Sequence, residues 1–149
     1  MKKKFFLIAT MLFVTVSLAS CDDDAKKVIE FNALPESAQT FVNTHFSDKQ
    51  IAVIYHDRHV TDNEYEVRFS DGAKVDFTRK GEWDEVEDHD VDGVPTAIIP
   101  QAINEYIVSK HAGQFTVKIS KERKKIEVEL NSDIEMVFDK NGEFVSYSD

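Results

Sequence analysis

The sequence predicts an α+β fold made of two tandem repeats, each a helix followed by four antiparallel strands, with the helices packed on one face of the sheet. Two internal resemblances lead there. Leu34-Pro35-Glu36-Ser37-Ala38 is echoed by Ile99-Pro100-Gln101-Ala102-Ile103 65 residues later, and "YEVRFSDGAKVDFTRKGEW" (Tyr65 to Trp83) aligns with "IEVELNSDIEMVFDKNGEF" (Ile126 to Phe144) at a spacing of 61. Two resemblances in the same order indicate an internal duplication. The third observation is that each segment passes from helical to strand periodicity.

Each repeat opens with a helix, and its proline suits the first turn, where a missing N–H loses no bond. Leu34, Ala38, Phe41, Val42 and His45 fall on one face of the first helix. Ile99, Ile103, Tyr106 and Ile107 do the same in the second, which Gly113 stops. Strands follow. In the first repeat Tyr65, Val67 and Phe69 alternate with polar neighbours, as do Ala73, Val75 and Phe77. Asp71-Gly72 between them is a strong hairpin signal, because a tight turn needs positive φ. In the second repeat the apolar positions are Phe115, Val117, Ile119; Ile126, Val128, Leu130; and Ile134, Met136, Phe138. Lys80-Gly81 and Asn141-Gly142 turn into the last strands, which carry Trp83 and Val86, and Phe144 and Tyr147. Alternation of this kind leaves one face polar and open to water. Residues 34–93 form the first repeat and 94–149 the second. A unit of ~50 residues buries too little apolar surface to stand alone, so the two should share one core or one continuous sheet.

Residues 1–20 read as a secretion signal. Lys2, Lys3 and Lys4 precede an uncharged apolar run, and Phe5 to Ser20 supplies 16 residues, short of the ~20 that a spanning helix needs. Leu18-Ala19-Ser20-Cys21 resembles the lipobox of bacterial lipoproteins at all four positions. The resemblance implies acylation at Cys21 and cleavage before it, and several acyl chains anchor a protein stably. Cys21 is the only cysteine, so no intramolecular disulfide is available. The three aspartates after it resemble the acidic tag of surface-exposed Bacteroidota lipoproteins, and residues 21–33 read as an acidic tether in which Val28, Ile29 and Phe31 can dock on the domain. The predicted location is the cell envelope, as an outer-membrane lipoprotein facing the periplasm or exposed at the surface.

Charge excludes one large class of partner. The chain has 18 basic and 28 acidic residues; without the three leader lysines the balance is 15 to 28, a net charge of −13. Such a surface repels nucleic acid, which is bound by neutralising phosphates.

No catalytic set is expected. The five glycines form no phosphate loop, the serines lack a nucleophile-elbow setting, and Cys21 is committed to lipid. His56 and His59, with Asp57 or Asp62, offer too few rigid ligands for zinc. His45 and His111 sit near helix C-termini, where the helix dipole favours them. "EWDEVEDHDVDG" (Glu82 to Gly93) is strongly acidic. Asp88, Asp90, Asp92 and Gly93 match the first half of a calcium loop, but the twelfth position is Ile99 where a bidentate glutamate is required. This stretch reads as a linker between repeats, with a weaker calcium alternative; calcium is the only cofactor with any pattern behind it. A glycan hydrolase using Glu82, Asp84 and Glu85 would need a cleft between its carboxylates.

The chain also resembles a known family, the PepSY-like domains of Bacteroidota lipoproteins, whose fold is similar to that of the β-lactamase-inhibitor proteins. The resemblance rests on Leu34-Pro35, "GEWDEVE" (Gly81 to Glu87), "VPTAIIPQAINEYI" (Val94 to Ile107), "IEVEL" (Ile126 to Leu130) and "FDKNGEFV" (Phe138 to Val145). It implies the helix-and-strand architecture and an extracytoplasmic location, and no chemistry; inhibition of an enzyme follows by analogy of fold alone. The expected function is a non-enzymatic, lipid-anchored envelope domain that binds an envelope or extracellular protein or peptide through its open sheet face. The outward positions of the alternation are the candidate contacts: Ile54, His56, Arg68, Lys74, Asp76, Lys118, Glu127, Glu129, Glu135 and Val137. The alternative is a calcium-dependent sensor or adhesion module built on residues 82–92.

Overall fold

The computed structural model describes residues 26–58 and 64–148. The leader, Cys21, the three aspartates, His59 and Asp62 lie outside the described residues. In chain order the elements are β1 (Lys26–Val28), α1 (Glu36–His45), β2 (Ile51–Asp57), β3 (Tyr65–Phe69), β4 (Lys74–Phe77) and β5 (Trp83–Glu87). There follow α2 (Gln101–Lys110), β6 (Thr116–Lys121), β7 (Lys125–Leu130), β8 (Glu135–Asp139) and β9 (Phe144–Tyr147). Short 3-10 turns precede both helices, at Phe31–Ala33 and Thr96–Ile98.

The strands form one antiparallel sheet in sequence order, β1 through β9. This corrects the expected pair of tandem helix–four-strand repeats. β5 pairs directly with β6 through Glu85–Ser120, Val86–Ile119 and Glu87–Lys118, so no boundary interrupts the sheet between residues 93 and 94. The physical reason lies in the buried row that crosses it. Ile54, Val67, Val75, Val86, Ile119, Val128 and Met136 are successive cross-strand neighbours, each no more than 3% exposed. Separating the halves would expose both sides of that row to water.

A ninth strand comes from the stretch read as a tether. Lys26–Val28 pairs with β2, and Ile29 and Phe31 pack against the core.

Pro35 and Pro100 sit immediately before the helices, where a missing N–H is harmless. Ala38 and Val42 of α1, and Ile103 and Ile107 of α2, are buried in a single cluster with Phe77 and Phe138 of the sheet. Phe41 meets Phe77 edge-on at 5.6 Å, and Tyr106 meets Phe138 edge-on at 5.5 Å. Both helices therefore cover the same face. Gly72, in the β3–β4 turn, has φ of 99°, as the Asp-Gly signal required. Among the described residues no helix is long and apolar enough to cross a membrane.

Candidate functional site

The face opposite the helices carries two rows of side chains in register. One runs Tyr55, Glu66, Asp76, Glu85, Ser120, Glu127, Val137; the other runs Val53, Arg68, Lys74, Glu87, Lys118, Glu129, Glu135. Eight of the ten sequence-derived contact candidates lie in these rows. Ile54 and His56 do not. Ile54 is 3% exposed and part of the core. His56 points to the helix side too: it stacks on Tyr65 with ring centroids 4.5 Å apart, and its Nε2 lies 2.9 Å from Glu64 Oε1. The cause is an irregularity in the β2–β3 pairing between Ile51 and Val53, which reverses the facing of the residues that follow it in β2.

The rows divide into two regions by charge compensation. Across β3 to β6 every acid has a cation. Lys26 Nζ lies 2.9 Å from Glu66, which Arg68 also grips. Lys74 Nζ lies 2.7 Å from Glu85 and 3.3 Å from Asp76, and Lys118 reaches Glu85 at 3.3 Å. Burial alone would raise the Glu66 and Glu85 carboxyls, but these cations overcome it and hold both below the ordinary value. Lys74 shows the reverse balance: burial disfavours its charge, yet Glu85 and Asp76 raise it.

Across β7 and β8 compensation fails. Glu127 has Lys125, but Glu129 and Glu135 stand directly opposite each other with no basic group at ion-pair distance among the described residues. Like charges in that position repel. Beside them a small cavity of about 90 Å³ is lined by Lys118, Ser120, Glu127, Val128, Glu129 and Glu135. The β7–β8 region can therefore accept a cation.

A second constellation forms at one end of the sheet. Asp88, 3% exposed, binds Lys49, whose Nζ lies 3.0 Å from its Oδ2, 3.7 Å from Asp90 Oδ2, and against Asp71. Burial would lower Lys49, but Asp71 and Asp88 overturn this and raise it. Asp88 Oδ1 also accepts from the Asp90 N–H at 3.0 Å. Gly93 has φ of 63°, and a Cβ there would collide with the Thr116 carbonyl and the Phe115 ring. That close approach folds the acidic stretch back on β6. Sequence reasoning missed the roles of Lys49, which carries no motif, and of Asp71, whose Asp-Gly signal speaks only of the turn; both lie outside residues 82–92 along the chain. An adjoining cavity of about 290 Å³ is lined by Asp48, Asp90, Asp92, His45 and Thr96 among others. Among the described residues no group of three or more His, Cys, Asp or Glu side chains is arranged to hold a metal ion.

The acids of the glycan-hydrolase alternative do not converge. Glu82 and Asp84 line a cavity of about 560 Å³ with Phe41, Trp83 and Lys121, while Glu85 turns to Lys74 and Lys118 on the open face. Lys121 covers the Trp83 ring at 3.3 Å.

Comparison with known proteins agrees with this architecture. The family described as beta-lactamase-inhibitor-like, PepSY-like matches residues 63–146. A Bacteroides thetaiotaomicron protein described as calcium-regulated and periplasmic superposes with a TM-score of 0.80 at 34% identity, covering 85% of this chain and 98% of its own. Two Bacteroides vulgatus proteins, each described as periplasmic, superpose with a TM-score of 0.76 each. One is 33% identical over 85% of this chain and 99% of its own; the other is 36% identical over 83% and 99%. Comparison with curated proteins finds no match. The chain is a member of the PepSY-like, β-lactamase-inhibitor-like family.

Proposed function

We propose that this is a non-enzymatic cell-envelope domain, anchored by lipid at Cys21, which binds a protein or peptide partner through its open sheet face. The observation that carries the reading is the uncompensated pair Glu129 and Glu135, set beside the apolar Val137 on the face opposite both described helices. An interface of modest size combines apolar contact with a polar rim in this way, and the charge favours a basic segment on the partner. The periplasmic descriptions of similar structures support the location.

Two experiments test the parts separately. Photo-crosslinking residues placed at Glu129 and Val137 should trap a partner that the same residue at Val108, exposed on α2, does not; equal trapping at all three sites ends the assignment of the face. Cys21→Ser should abolish fatty-acid labelling and leave an uncut or soluble product. A serine variant that remains processed and membrane-bound removes the anchor.

A calcium-responsive module at Asp88, Asp90 and Asp92 remains as a second reading, favoured by the aspartate-lined cavity beside them. The ammonium of Lys49 already supplies a cation to Asp88, Asp90 and Asp71. Calorimetric titration with calcium decides it: no heat and no melting shift at millimolar calcium would reject this reading.

A further inference from the structure

β3, β4 and β5 set three carboxylates side by side on the open face, Glu66, Asp76 and Glu85 being direct cross-strand neighbours. The outer two are well served by Lys26, Arg68, Lys74 and Lys118. Asp76 is not. It is only 7% exposed, its one ion-pair partner among the described residues is Lys74 at 3.3 Å, and that lysine sits closer to Glu85. Its second oxygen, Oδ1, is buried and accepts no hydrogen bond. A buried polar atom without a partner is costly, and a carboxylate between two others bears their repulsion as well.

We propose that Asp76 is a proton-binding switch at the centre of the open face: as the solution turns acidic it takes a proton from solvent on Oδ1 while Glu66 and Glu85 stay ionised, and Lys74 passes to Glu85 and Glu87. The groups facing it favour this outcome. On its own strand there is Lys74 alone. From β3 come Glu66 and Arg68, the latter paired with Glu66 and acting on Asp76 only at longer range; from β5 come Glu85 and Glu87, with Lys118 paired to Glu85. Burial raises the Asp76 carboxyl, Lys74 offsets only part of that, and Glu85 and Glu66 push it further up. Protonation removes the buried negative charge and its repulsion with Glu85 and Glu66, and makes the face one charge more positive. Any effect on binding rests on the open face being the binding surface; the proton site itself does not.

The sign of the linkage is fixed. A carboxyl raised in the folded state detracts from stability when ionised, and that penalty disappears as pH falls through its folded value. Asp76→Asn should therefore melt above the wild type at neutral pH, with the difference closing in acid. Carboxyl-carbon NMR titration of the wild-type domain, without any partner, should find Asp76 with a higher midpoint than Glu66 and Glu85, and Lys74→Met should move that midpoint higher still. An Asp76 midpoint at or below those of its neighbours overturns the proposal, as does an asparagine variant that is less stable at neutral pH. Either failure leaves the crosslinking test of the binding face untouched.

Discussion

Two neighbouring residues of β8 show how differently the two faces of the sheet are built. Phe138 is fully buried, meets Tyr106 and Phe144, and belongs to the core shared by both halves of the chain. Val137, one position earlier, lies in the open row between Glu127 and Ser146. The covered face is apolar from Ile54 to Met136, so its value is set by area removed from water. The open face is held by ion pairs, whose worth depends on burial and compensation. A residue on the first face therefore affects the whole fold, whereas one on the second can change recognition with the fold intact.

The largest expected effect breaks that comparison at its sharpest point. Phe138→Ala should cost about 3–5 kcal/mol, through lost burial and the cavity left behind. Val137→Ala should cost under about 1 kcal/mol, because it opens no internal cavity. Denaturant titration of both variants measures the difference. Similar losses would show that the open face is packed in the same way as the core. Because one buried row crosses β2 to β8, the Phe138→Ala loss should also appear as a single transition reported by Trp83 fluorescence from the other half. Two separate transitions would divide the core.

Lys49→Met comes next. It leaves Asp88 buried with its cation removed, which for a buried pair costs about 3–5 kcal/mol. Lys49 itself is 13% exposed, and Asp71 and Asp90 lie in the more exposed turns, so a loss of about 2–3 kcal/mol is expected. Lys49 is raised in the folded state, so its contribution is complete below the ordinary lysine value and is lost only as pH rises through the higher folded one. Thermal melts of variant and wild type should therefore differ by a constant margin between neutral pH and about pH 9. A margin that closes within that window would remove the clamp.

The sequence revealed those parts of the fold whose signal is local. Pro35 and Pro100 marked the helix starts, Asp71-Gly72 marked the β3–β4 turn, and alternation located most strands. The tandem architecture was misread because similarity between Tyr65–Trp83 and Ile126–Phe144 says nothing of how β5 meets β6; that pairing is decided by Val86 against Ile119. β1 was missed because Lys26–Val28 is too short and too charged to show a period. Ile54 and His56 were assigned to the wrong face because one irregularity near Val53 shifts the alternation, and no residue there announces it. At the candidate site, Arg68 through Val137 followed from period two alone. The Lys49 clamp could not be seen, since it joins the α1–β2 loop, the β3–β4 turn and the segment after β5.

The smallest expected effect on stability tests the open face most directly. Glu129 and Glu135 stand opposite each other on β7 and β8 with no ion-pair partner among the described residues, a contact worth about 0.2–1 kcal/mol in unfavourable energy. Glu135→Lys would turn repulsion into a cross-strand pair and should raise stability by up to about 1 kcal/mol. Glu135→Gln should give part of that gain. If the pair exists only as an unstrained, solvated surface, both variants should match the wild type in denaturant titration, and partner capture at Glu129 should be unchanged. If it is the seat for a basic segment, stability rises while capture falls, more steeply for lysine than for glutamine, and the loss of capture should diminish at high salt as the introduced charge is screened. Opposite movements of stability and binding are the result that the comparison of faces requires, because residues kept for recognition are often not those that stabilise the fold best.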